Sequence, residues 1–342
     1  MNKQILAIDD GHYGIKITSD HGNYVLNALV AEGRHPRINS ITGMAKEDEL
    51  YLCDGHEYTI LEGDAKNAGN KPIVATSTPH YLLSPANAVM IHHAIRNSGI
   101  KESNEVILCT SLPFNRFYTS DGLNKKLIDN KKLNLISRKV SSYGYEPISI
   151  QQQFVLSEGV AAYFDLLYNN DLSLNNEVSQ IAKNSLITVV DVGGQTTDIV
   201  TLNDNNIDLS KSITKTGDYA GGLFLKRQVR GLLAKEMNCL EEHIQDSLIE
   251  KLITESELSD AGIGAKINVY KKQIAAYIAN AIAEKVGNAN DIGLVYFVGG
   301  GSLLLRNSLA EIFPSKSRFA ENPVFANSQG MYKLMKLQIR NN

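Results

Sequence analysis

The chain has 342 residues, of which 43% are hydrophobic and 21% are charged, and its formal net charge at pH 7 is −3. This composition is typical of a globular protein and, at this length, of two domains of ordinary size. The 34 basic and 37 acidic side chains argue against a broad surface that binds nucleic acid directly. The pair Lys131-Lys132 is interpreted as part of a solvated helix face.

The three cysteines, Cys53, Cys109 and Cys239, lie far apart and form neither a disulfide framework nor a zinc motif. They are expected to remain reduced, which favours a cytoplasmic location. The longest apolar run, residues 292–305, is interrupted by four glycines and is too short to span a bilayer. No contact with a membrane is therefore expected.

The first predicted element is a hairpin whose first strand ends in an acidic pair. Residues 5–8 and 15–18 form its strands, and Asp9-Asp10-Gly11 begins its turn. Glycine lets the backbone close around a phosphate without a Cβ clash, and successive amides of such a turn bind anions. A carboxylate at the strand end suits Mg²⁺, usually through water, and Lys16 adds a positive charge for the phosphates. Taken alone, however, such a turn is more simply an ordinary hairpin.

The rest of the first half alternates short strands with helices. Residues 34–71, which are rich in Gly, Asp and Glu, are predicted to form a small inserted subdomain with short strands over 51–53 and 58–60. The later predicted elements are a helix over 86–97, a buried strand over 106–109, a strand over 148–155, a helix from 157 to about 168 with Ser157 as its cap, and a polar, Asn-rich loop over 169–184.

The second half begins with another strand of the same kind. It runs from Leu186 to Asp191, and Gly193-Gly194 then lead into a return strand. Two such turns about half a chain apart predict two related halves that grip one polyphosphate, with Asp9 and Asp191 holding the same Mg²⁺ ion. The elements predicted downstream are an amphipathic helix over 221–237, a helix over 267–286, a buried strand over 294–298 and the loop Gly299-Gly300-Gly301.

Strands that alternate with helices, together with hairpins, predict an α/β protein with mixed sheets. Three small loops on buried strands are what a nucleotide cleft between two sheets requires, so their joint presence favours nucleotide binding over three unrelated turns. The sequence contains no GxxxxGK[ST] motif and no complete GxGxxG motif. Their absence argues against the P-loop and dinucleotide-binding folds.

These residues resemble the motifs of the actin/Hsp70/sugar-kinase superfamily. Asp9-Asp10-Gly11 resembles its first phosphate motif, residues 191–196 its second, and residues 298–301 its adenosine motif. More narrowly, the chain is similar to the ParM/StbA family of plasmid-segregation actins. The closer likeness rests on four stretches in order along the chain: residues 8–11, residues 92–95 with 98–99, residues 108–110 with 112–113, and residues 327–332.

The resemblance implies an actin-like fold, in which two related domains with mixed sheets surround an interdomain nucleotide cleft. Domain I is expected over 1–168, with the insert 34–71 and a returning C-terminal segment 331–342, and domain II over 169–330. The implied activity is that of an ATPase, or a GTPase, with Mg²⁺. Its filaments would assemble with ATP, disassemble after hydrolysis and drive plasmid DNA segregation. A DNA-binding adaptor on a centromere-like site would contact the DNA in place of this chain.

The resemblance also assigns site residues. The implied nucleotide contacts are Asp9, Asp10, Gly11, His12, Lys16, Gly193, Gly194, Gln195, Thr196, Gly299, Gly300 and Gly301. Asp191 is expected to act in catalysis together with Glu158, which matches the family's water-orienting glutamate and is expected in the first turn of the interdomain helix. His12 stands where the superfamily commonly has Ser or Thr, and Gln195 replaces a common Thr.

Several alternatives stay open. Glu158 also fits an ordinary first-turn glutamate that complements a helix dipole. Lys226 is a candidate contact for the ribose or base, and a place on a solvated helix face suits it equally well. For the whole chain, the alternatives to a filament protein are a metabolic kinase and a non-polymerising ATPase of the same superfamily.

Overall fold

The computed structural model describes residues 3–12, 14–35, 37–38, 45–46, 49–61, 71–100, 105–142, 148–256 and 261–340. The chain forms two compact units. Unit 1 comprises Met1–Leu112, Leu123–Ser157 and Ser328–Asn342, and unit 2 comprises Pro113–Gly122 and Glu158–Asn327. The predicted domain boundary lay at residue 168, whereas unit 2 resumes at Glu158 and also includes the short segment 113–122.

The described elements are numbered in chain order. The strands are β1 (Lys3–Asp10), β2 (Gly14–Ser19), β3 (Gly22–Asn27), β4 (Val30–Glu32), β5 (Arg37–Ile38), β6 (Ala45–Lys46), β7 (Leu50–Cys53), β8 (His56–Ile60), β9 (Glu105–Leu112), β10 (Tyr118–Thr119), β11 (Gly122–Leu123), β12 (Val140–Ser142), β13 (Ile150–Ser157), β14 (Leu186–Val192), β15 (Thr196–Asn203), β16 (Asn206–Ile207), β17 (Ile213–Thr216), β18 (Ile292–Val298) and β19 (Ser317–Phe319). The helices are α1 (Pro85–Asn97), α2 (Phe114–Phe117), α3 (Lys125–Ile136), α4 (Val160–Leu167), α5 (Asn176–Asn184), α6 (Gly222–Glu236), α7 (Asp246–Glu255), α8 (Gly262–Val286), α9 (Gly300–Leu304), α10 (Arg306–Ile312) and α11 (Ala326–Arg340).

Unit 1 is built on a five-stranded mixed sheet in the order β13-β9-β1-β2-β3. Strand β1 pairs antiparallel with β2 and parallel with β9, which places it inside the sheet. Its residues Leu6, Ala7 and Ile8 are fully buried, the pattern expected of a strand covered on both faces. The carboxyl end of this central strand is where Asp9 and Asp10 stand.

Helix α1 covers the unit 1 sheet with an apolar face. It begins where the Ser84 hydroxyl accepts the Asn87 N–H at 3.2 Å and Pro85 occupies the first turn, two common helix-start features. Met90 and Ile91 are among the core residues that α1 contributes. The helix predicted over 86–97 is therefore present with nearly the same bounds.

A second, antiparallel sheet of unit 1 has the order β12-β7-β8-β4. Strands β7 and β8 correspond to the short strands predicted over 51–53 and 58–60 within the insert. Part of the predicted insert, including 39–44 and 62–70, lies outside the described residues.

His92 lies in the core of unit 1, on α1, with 5% of its surface exposed. Burial lowers its pKa to about 4, although an interaction with the Leu135 backbone acts in the opposite direction. The folded state therefore binds this proton less readily than the unfolded state, whose pKa is about 6.5. Stability is retained above pH 6.5 and falls as the pH drops from there towards 4.

We expect the unfolding free energy to fall by about 1 kcal/mol between pH 7 and pH 5.5 because of His92 alone. His92→Leu should remove this part of the pH dependence, since leucine carries no titrating group. Denaturant unfolding of both proteins at the two pH values measures the difference. Equal pH slopes for the two proteins would contradict the assignment.

Unit 2 has a sheet in the order β16-β15-β14-β18-β19, and β17 pairs antiparallel with residues 196–199 of β15. Alternate residues of β14 enter two different cores, because side chains of a strand point to opposite faces. Ile187 and Val189 pack with residues of α4 and α5. Val190 and Val192 pack with residues of α6, α7 and α8. Unit 2 is therefore a sheet with helices on both faces.

The Asn-rich segment 169–184 was predicted as a loop, and this prediction was wrong for its second part, which forms α5. The Asn175 side chain accepts the Val178 N–H at 3.2 Å and caps the helix. Val178 and Ala182, four residues apart, are buried on one face. Capping and the burial of this face outweigh the weak helix propensity of asparagine. Throughout the described ranges, no helix combines the length and apolarity needed to cross a membrane.

Candidate functional site

In unit 1, the hairpin β1–β2 sets an aspartate opposite a lysine. Asp9 and Lys16 are partners in the antiparallel register, and Lys16 Nζ lies 3.4 Å from Asp9 Oδ2. The Ser111 hydroxyl, at the end of β9, donates to Asp9 Oδ1 at 3.3 Å. A Cβ on Gly11 would lie 3.3 Å from the Gly14 carbonyl oxygen and 2.6 Å from Lys16 Nζ, so the lysine ammonium lies directly over the turn glycine. The predicted elements of a phosphate loop are thus grouped at one strand end.

The carboxylate of Asp10 has its partners inside unit 1. Lys131 Nζ donates to its two oxygens at 2.9 and 2.6 Å, and Asn87 Nδ2 donates to Oδ2 at 2.8 Å. Lys131 is 0% exposed, so the interpretation of this lysine as part of a solvated face was wrong. Such a buried pair persists because both charges are satisfied by hydrogen bonds. Asp10 thereby ties α1 and α3 to the phosphate-loop hairpin, and its contact with nucleotide remains a prediction.

His12 follows the turn glycine and is half-buried. Its carbonyl oxygen accepts a hydrogen bond from the Thr76 hydroxyl at 3.0 Å. Burial lowers the pKa of its imidazole, and this effect outweighs the Thr76 backbone and the nearby Asp10 charge, which raise it. A neutral imidazole donates through one nitrogen only. His12 can therefore offer one N–H where the superfamily commonly has a hydroxyl.

The corresponding turn of unit 2 lies between β14 and β15. The Gly193 N–H donates to the Thr196 carbonyl at 2.9 Å and closes the turn. The Gly222 N–H, at the start of α6, donates to the Gly193 carbonyl at 3.0 Å. A Cβ on Gly221 would overlap the Gly194 carbonyl oxygen. Gly221 was predicted only as the start of a helix, whereas in the structure it packs against the phosphate turn.

The third glycine loop also packs against this turn. Gly299 has φ +81°, and a Cβ there would overlap Asp191 Oδ1. A Cβ on Gly301 would lie 2.8 Å from the Val192 carbonyl oxygen. Only glycine allows both the positive φ and this approach at position 299. The two loops therefore form one glycine-lined surface next to the Asp191 carboxylate.

Asp198 is a buried acid that the sequence analysis did not assign to the site. It is the antiparallel partner of Asp191 and is 3% exposed, and the Thr214 hydroxyl donates to it. Burial raises the pKa of Asp198 to about 7; the Asp191 charge also raises it, whereas Thr214 lowers it. Like charges facing each other across strands are unfavourable, and a cation would relieve them. These carboxylate oxygens are the ligand type that Mg²⁺ prefers, so the unit 2 site fits this ion.

Glu158 precedes helix α4 and does not lie in its first turn, so the position predicted for it was wrong. The helix begins at Val160 with Gly159 as its N-cap, and Ser157 is the last residue of β13 and not the cap. Gly159 has φ +74°, and a Cβ there would lie 2.6 Å from Val200 Cγ2. The chain therefore makes a sharp turn at Gly159, and Glu158 is half-buried at that turn.

Asn327 links this turn to the Asp191 strand end. Its Nδ2 donates to Asp191 Oδ2 at 2.7 Å, and its Oδ1 accepts the Gly159 N–H at 3.0 Å. In the sequence, residues 327–332 carry only part of the family likeness. No local signal identifies this role, because the partners of Asn327 are 136 and 168 residues away in the sequence.

The remaining predicted residues lie on or near the same loops of unit 2. Gln195 is exposed and Thr196 is half-buried. Gly300 opens α9. Lys226 Nζ lies 2.5 Å from Glu250 Oε1 on α7, and both side chains are partly exposed. Lys226 therefore has a surface ion-pair partner, and its contact with a nucleotide remains a prediction.

Each unit thus carries a strand that ends in aspartate, a glycine turn and a return strand. Unit 1 groups Asp9 with Lys16, and unit 2 groups Asp191 with the two glycine loops. Amide-rich turns bind phosphate oxygens, and strand-end carboxylates bind a hydrated metal ion. The chemistry that this arrangement supports is the binding of a metal-bound polyphosphate.

Two family models match successive parts of the chain. The model described as plasmid segregation protein ParM, N-terminal, matches residues 4–169. The model described as archaeal actin homologue MreB-like, C-terminal, matches residues 189–311. No curated protein matches this sequence.

Solved structures match over nearly the whole chain. Apo ParM of pSK41 has a TM-score of 0.73 at 16% identity, with 100% of this chain and 99% of that chain covered. The archaeal actin homologue Ta0583 has a TM-score of 0.75 at 18% identity, with 98% and 99% covered. A ParM from a 15-stranded filament of Clostridium botulinum has a TM-score of 0.71 at 20% identity, with 98% and 100% covered.

These matches establish the predicted actin-like fold, in which both units contain sheets of an α/β type. Filament-forming proteins are among the structural relatives. The ParM model on the first half, the actin-homologue model on the second and the full-length fold matches agree with one another. Together, these matches fit the ParM-like actin family, and they show that the chain has the actin-like fold.

Proposed function

We propose that this protein is a Mg²⁺-dependent nucleoside triphosphatase whose filaments segregate plasmid DNA. The observation that carries the proposal is the same strand–turn–strand arrangement in both units, with Asp9 and Asp191 at corresponding strand ends. Hairpin formation alone does not require either arrangement: Lys16 pairs with Asp9 beside the turn of unit 1, and the Gly299 loop packs against Asp191 in unit 2.

The nucleotide is ATP or GTP. A solved structure of the archaeal homologue Ta0583 is a complex with ADP, which supports nucleotide as the ligand. Asp9 and Asp191 would both hold the Mg²⁺, and Lys16 and the glycine turns would contact the phosphates. When bound, the metal ion would neutralise phosphate charge. His12 would supply an N–H to the phosphates in place of the usual hydroxyl.

Glu158 is the proposed water-orienting residue. Phosphoryl transfer depends mainly on positioning and electrostatics, so a fixed carboxylate that accepts a hydrogen bond from water is sufficient for this role. Its place at a sharp turn, next to the Gly159 amide that Asn327 holds, supports a fixed orientation. This support is separate from the family resemblance.

Self-assembly is proposed because two relatives are described as filaments. Identical subunits that join head to tail form open filaments when their rotation does not close. Contact with DNA would be left to a DNA-binding adaptor, in agreement with the net charge of −3. A cytoplasmic location completes the proposal.

We expect assembly to require nucleoside triphosphate and Mg²⁺ and to show a critical concentration. Light scattering after addition of ATP, or GTP, with electron microscopy of the same sample, tests this expectation. Samples with nucleoside diphosphate, and with chelator in place of Mg²⁺, are the controls and should stay dispersed. A protein that remains monomeric but transfers phosphate to a small acceptor would instead be a metabolic kinase.

A further inference from the structure

We propose that Asn327 is a positioning residue that couples the Asp191 carboxylate to the orientation of Glu158. The inference rests on the proposed nucleotide hydrolysis and concerns a residue to which the family likeness assigns no role. All three groups belong to unit 2. The amide nitrogen of Asn327 contacts Asp191 at the end of β14, and its amide oxygen contacts the Glu158–Gly159 turn.

The orientation of the Asn327 amide is fixed by its two partners. An amide nitrogen only donates and its oxygen only accepts, whereas Asp191 offers an acceptor and Gly159 offers an N–H. The observed bonds, 2.7 Å to Asp191 Oδ2 and 3.0 Å from the Gly159 nitrogen, satisfy both ends. The reversed amide would set oxygen against carboxylate and N–H against N–H. One side chain therefore specifies the distance between the two partners.

The environment makes this link strong. Asn327 is 6% exposed and Asp191 is 8% exposed, and Gly159 is buried. A hydrogen bond to a carboxylate is stronger than one between neutral groups, and low local polarity strengthens it further. Loss of the asparagine would remove the acceptor that the buried Gly159 N–H has in Asn327, and losing a buried hydrogen bond is costly. A shift of the Asp191 carboxylate would therefore move the turn with it.

The turn itself transmits such a shift to Glu158. Gly159 is the N-cap of α4, and its carbonyl accepts the first helical N–H, from Tyr163, at 2.9 Å. Val200 packs where a Cβ on residue 159 would stand, so the turn has little freedom to adjust separately. Glu158 is the residue immediately before it. Asn327 thus fixes the backbone at Gly159, and this backbone determines the position of the Glu158 side chain.

The first test is a double-mutant cycle between Asn327→Ala and Glu158→Ala, measured as single-turnover hydrolysis of ATP, and of GTP in parallel, with Mg²⁺. Asn327→Ala alone should slow hydrolysis about tenfold, the size typical of a residue that orients a functional group. Its KM should change less than about twofold. In the Glu158→Ala background the same substitution should change the rate by less than about twofold, because the group that it positions is gone.

Two further variants separate positioning from general destabilisation. Ile253→Val weakens the unit 2 core at a residue of α7 and should leave the hydrolysis rate unchanged. Asn327→Asp keeps the size and the acceptor for Gly159 but loses the donor to Asp191. It should slow hydrolysis like Asn327→Ala, since the link needs both ends. A tenfold loss that persists in the Glu158→Ala background would overturn the coupling and leave Asn327 acting on Asp191 alone.

The second test needs no hydrolysis. Hydrogen exchange in the nucleotide-free protein should be faster over residues 158–163 in Asn327→Ala than in the unsubstituted protein, because the Gly159 N–H loses its acceptor. The same segment in Ile253→Val is the matched comparison. Unchanged exchange would overturn the inference. If the unsubstituted protein hydrolyses no nucleotide, the proposed function fails, and the exchange result still decides whether Asn327 holds this turn.

Discussion

Asp191→Ala is expected to reduce nucleotide hydrolysis on the order of a thousandfold, the loss seen when electrostatic stabilisation of a transition state is removed. Asp191 stands at the carboxyl end of the central strand of unit 2, beside Gly299. It carries the charge that would hold the metal ion. Release of phosphate at saturating ATP or GTP measures the effect.

The Asp191→Ala protein should remain folded. The aspartate is no member of the apolar cores. Its removal costs the hydrogen bond from Asn327, and relief of the repulsion of Asp198 across the strand pair offsets part of this cost. Thermal unfolding should therefore change little compared with the loss of activity. Asp171→Ala, an exposed turn residue of the same unit, is the control and should hydrolyse normally. Unchanged turnover in Asp191→Ala would disprove the proposed pairing of the two motifs.

Glu158→Ala is expected to slow the chemical step roughly a hundredfold, as for other positioned acid–base groups. Binding of nucleotide should barely change, because the carboxylate is proposed to contact water and not the nucleotide ground state. Triphosphate favours the assembled state in the proposed function, so filaments should form and then persist. Following phosphate release and light scattering in one sample checks both expectations.

Glu177→Ala is the matched control for the helix-dipole alternative. Glu177 lies in the first turn of α5 in the same unit. Its replacement removes the interaction of a glutamate with a helix dipole but leaves the residues of the proposed site unchanged. It should hydrolyse and disassemble normally. Normal phosphate release by Glu158→Ala would remove Glu158 from the mechanism. A Glu158→Ala protein that neither binds nucleotide nor assembles would assign the residue a structural role at the start of α4.

The position of Glu158 shows where sequence reasoning stops. The switch from strand to helix near residue 158 was predictable from the change of apolar period. The exact start was not, because Ser157 offers a good capping side chain. The structure instead ends β13 at Ser157 and turns at Gly159, where only glycine fits beside Val200. A contact 41 residues away in the sequence therefore overrides the local capping preference.

The features that could be predicted from the amino-acid sequence are those that depend on near neighbours in the chain. Buried strands, the turns after Asp9 and Asp191 and the long helices follow from apolar period and from glycine, whose effects act within a few residues. The two similar turns, together with the third glycine loop, predicted a nucleotide cleft between two sheets. Their resemblance to the superfamily's motifs implied the actin-like fold that the comparisons establish.

The side chains that hold these turns in place could not be predicted, because they come from distant parts of the chain. Lys131 reaches Asp10 across 121 residues, and Asn327 reaches Asp191 across 136. In the sequence, Lys131 is one of a pair of lysines and Asn327 is one polar residue among many. Their roles arise from burial, because a buried charge or amide must find a partner and the fold supplies one from a distant element.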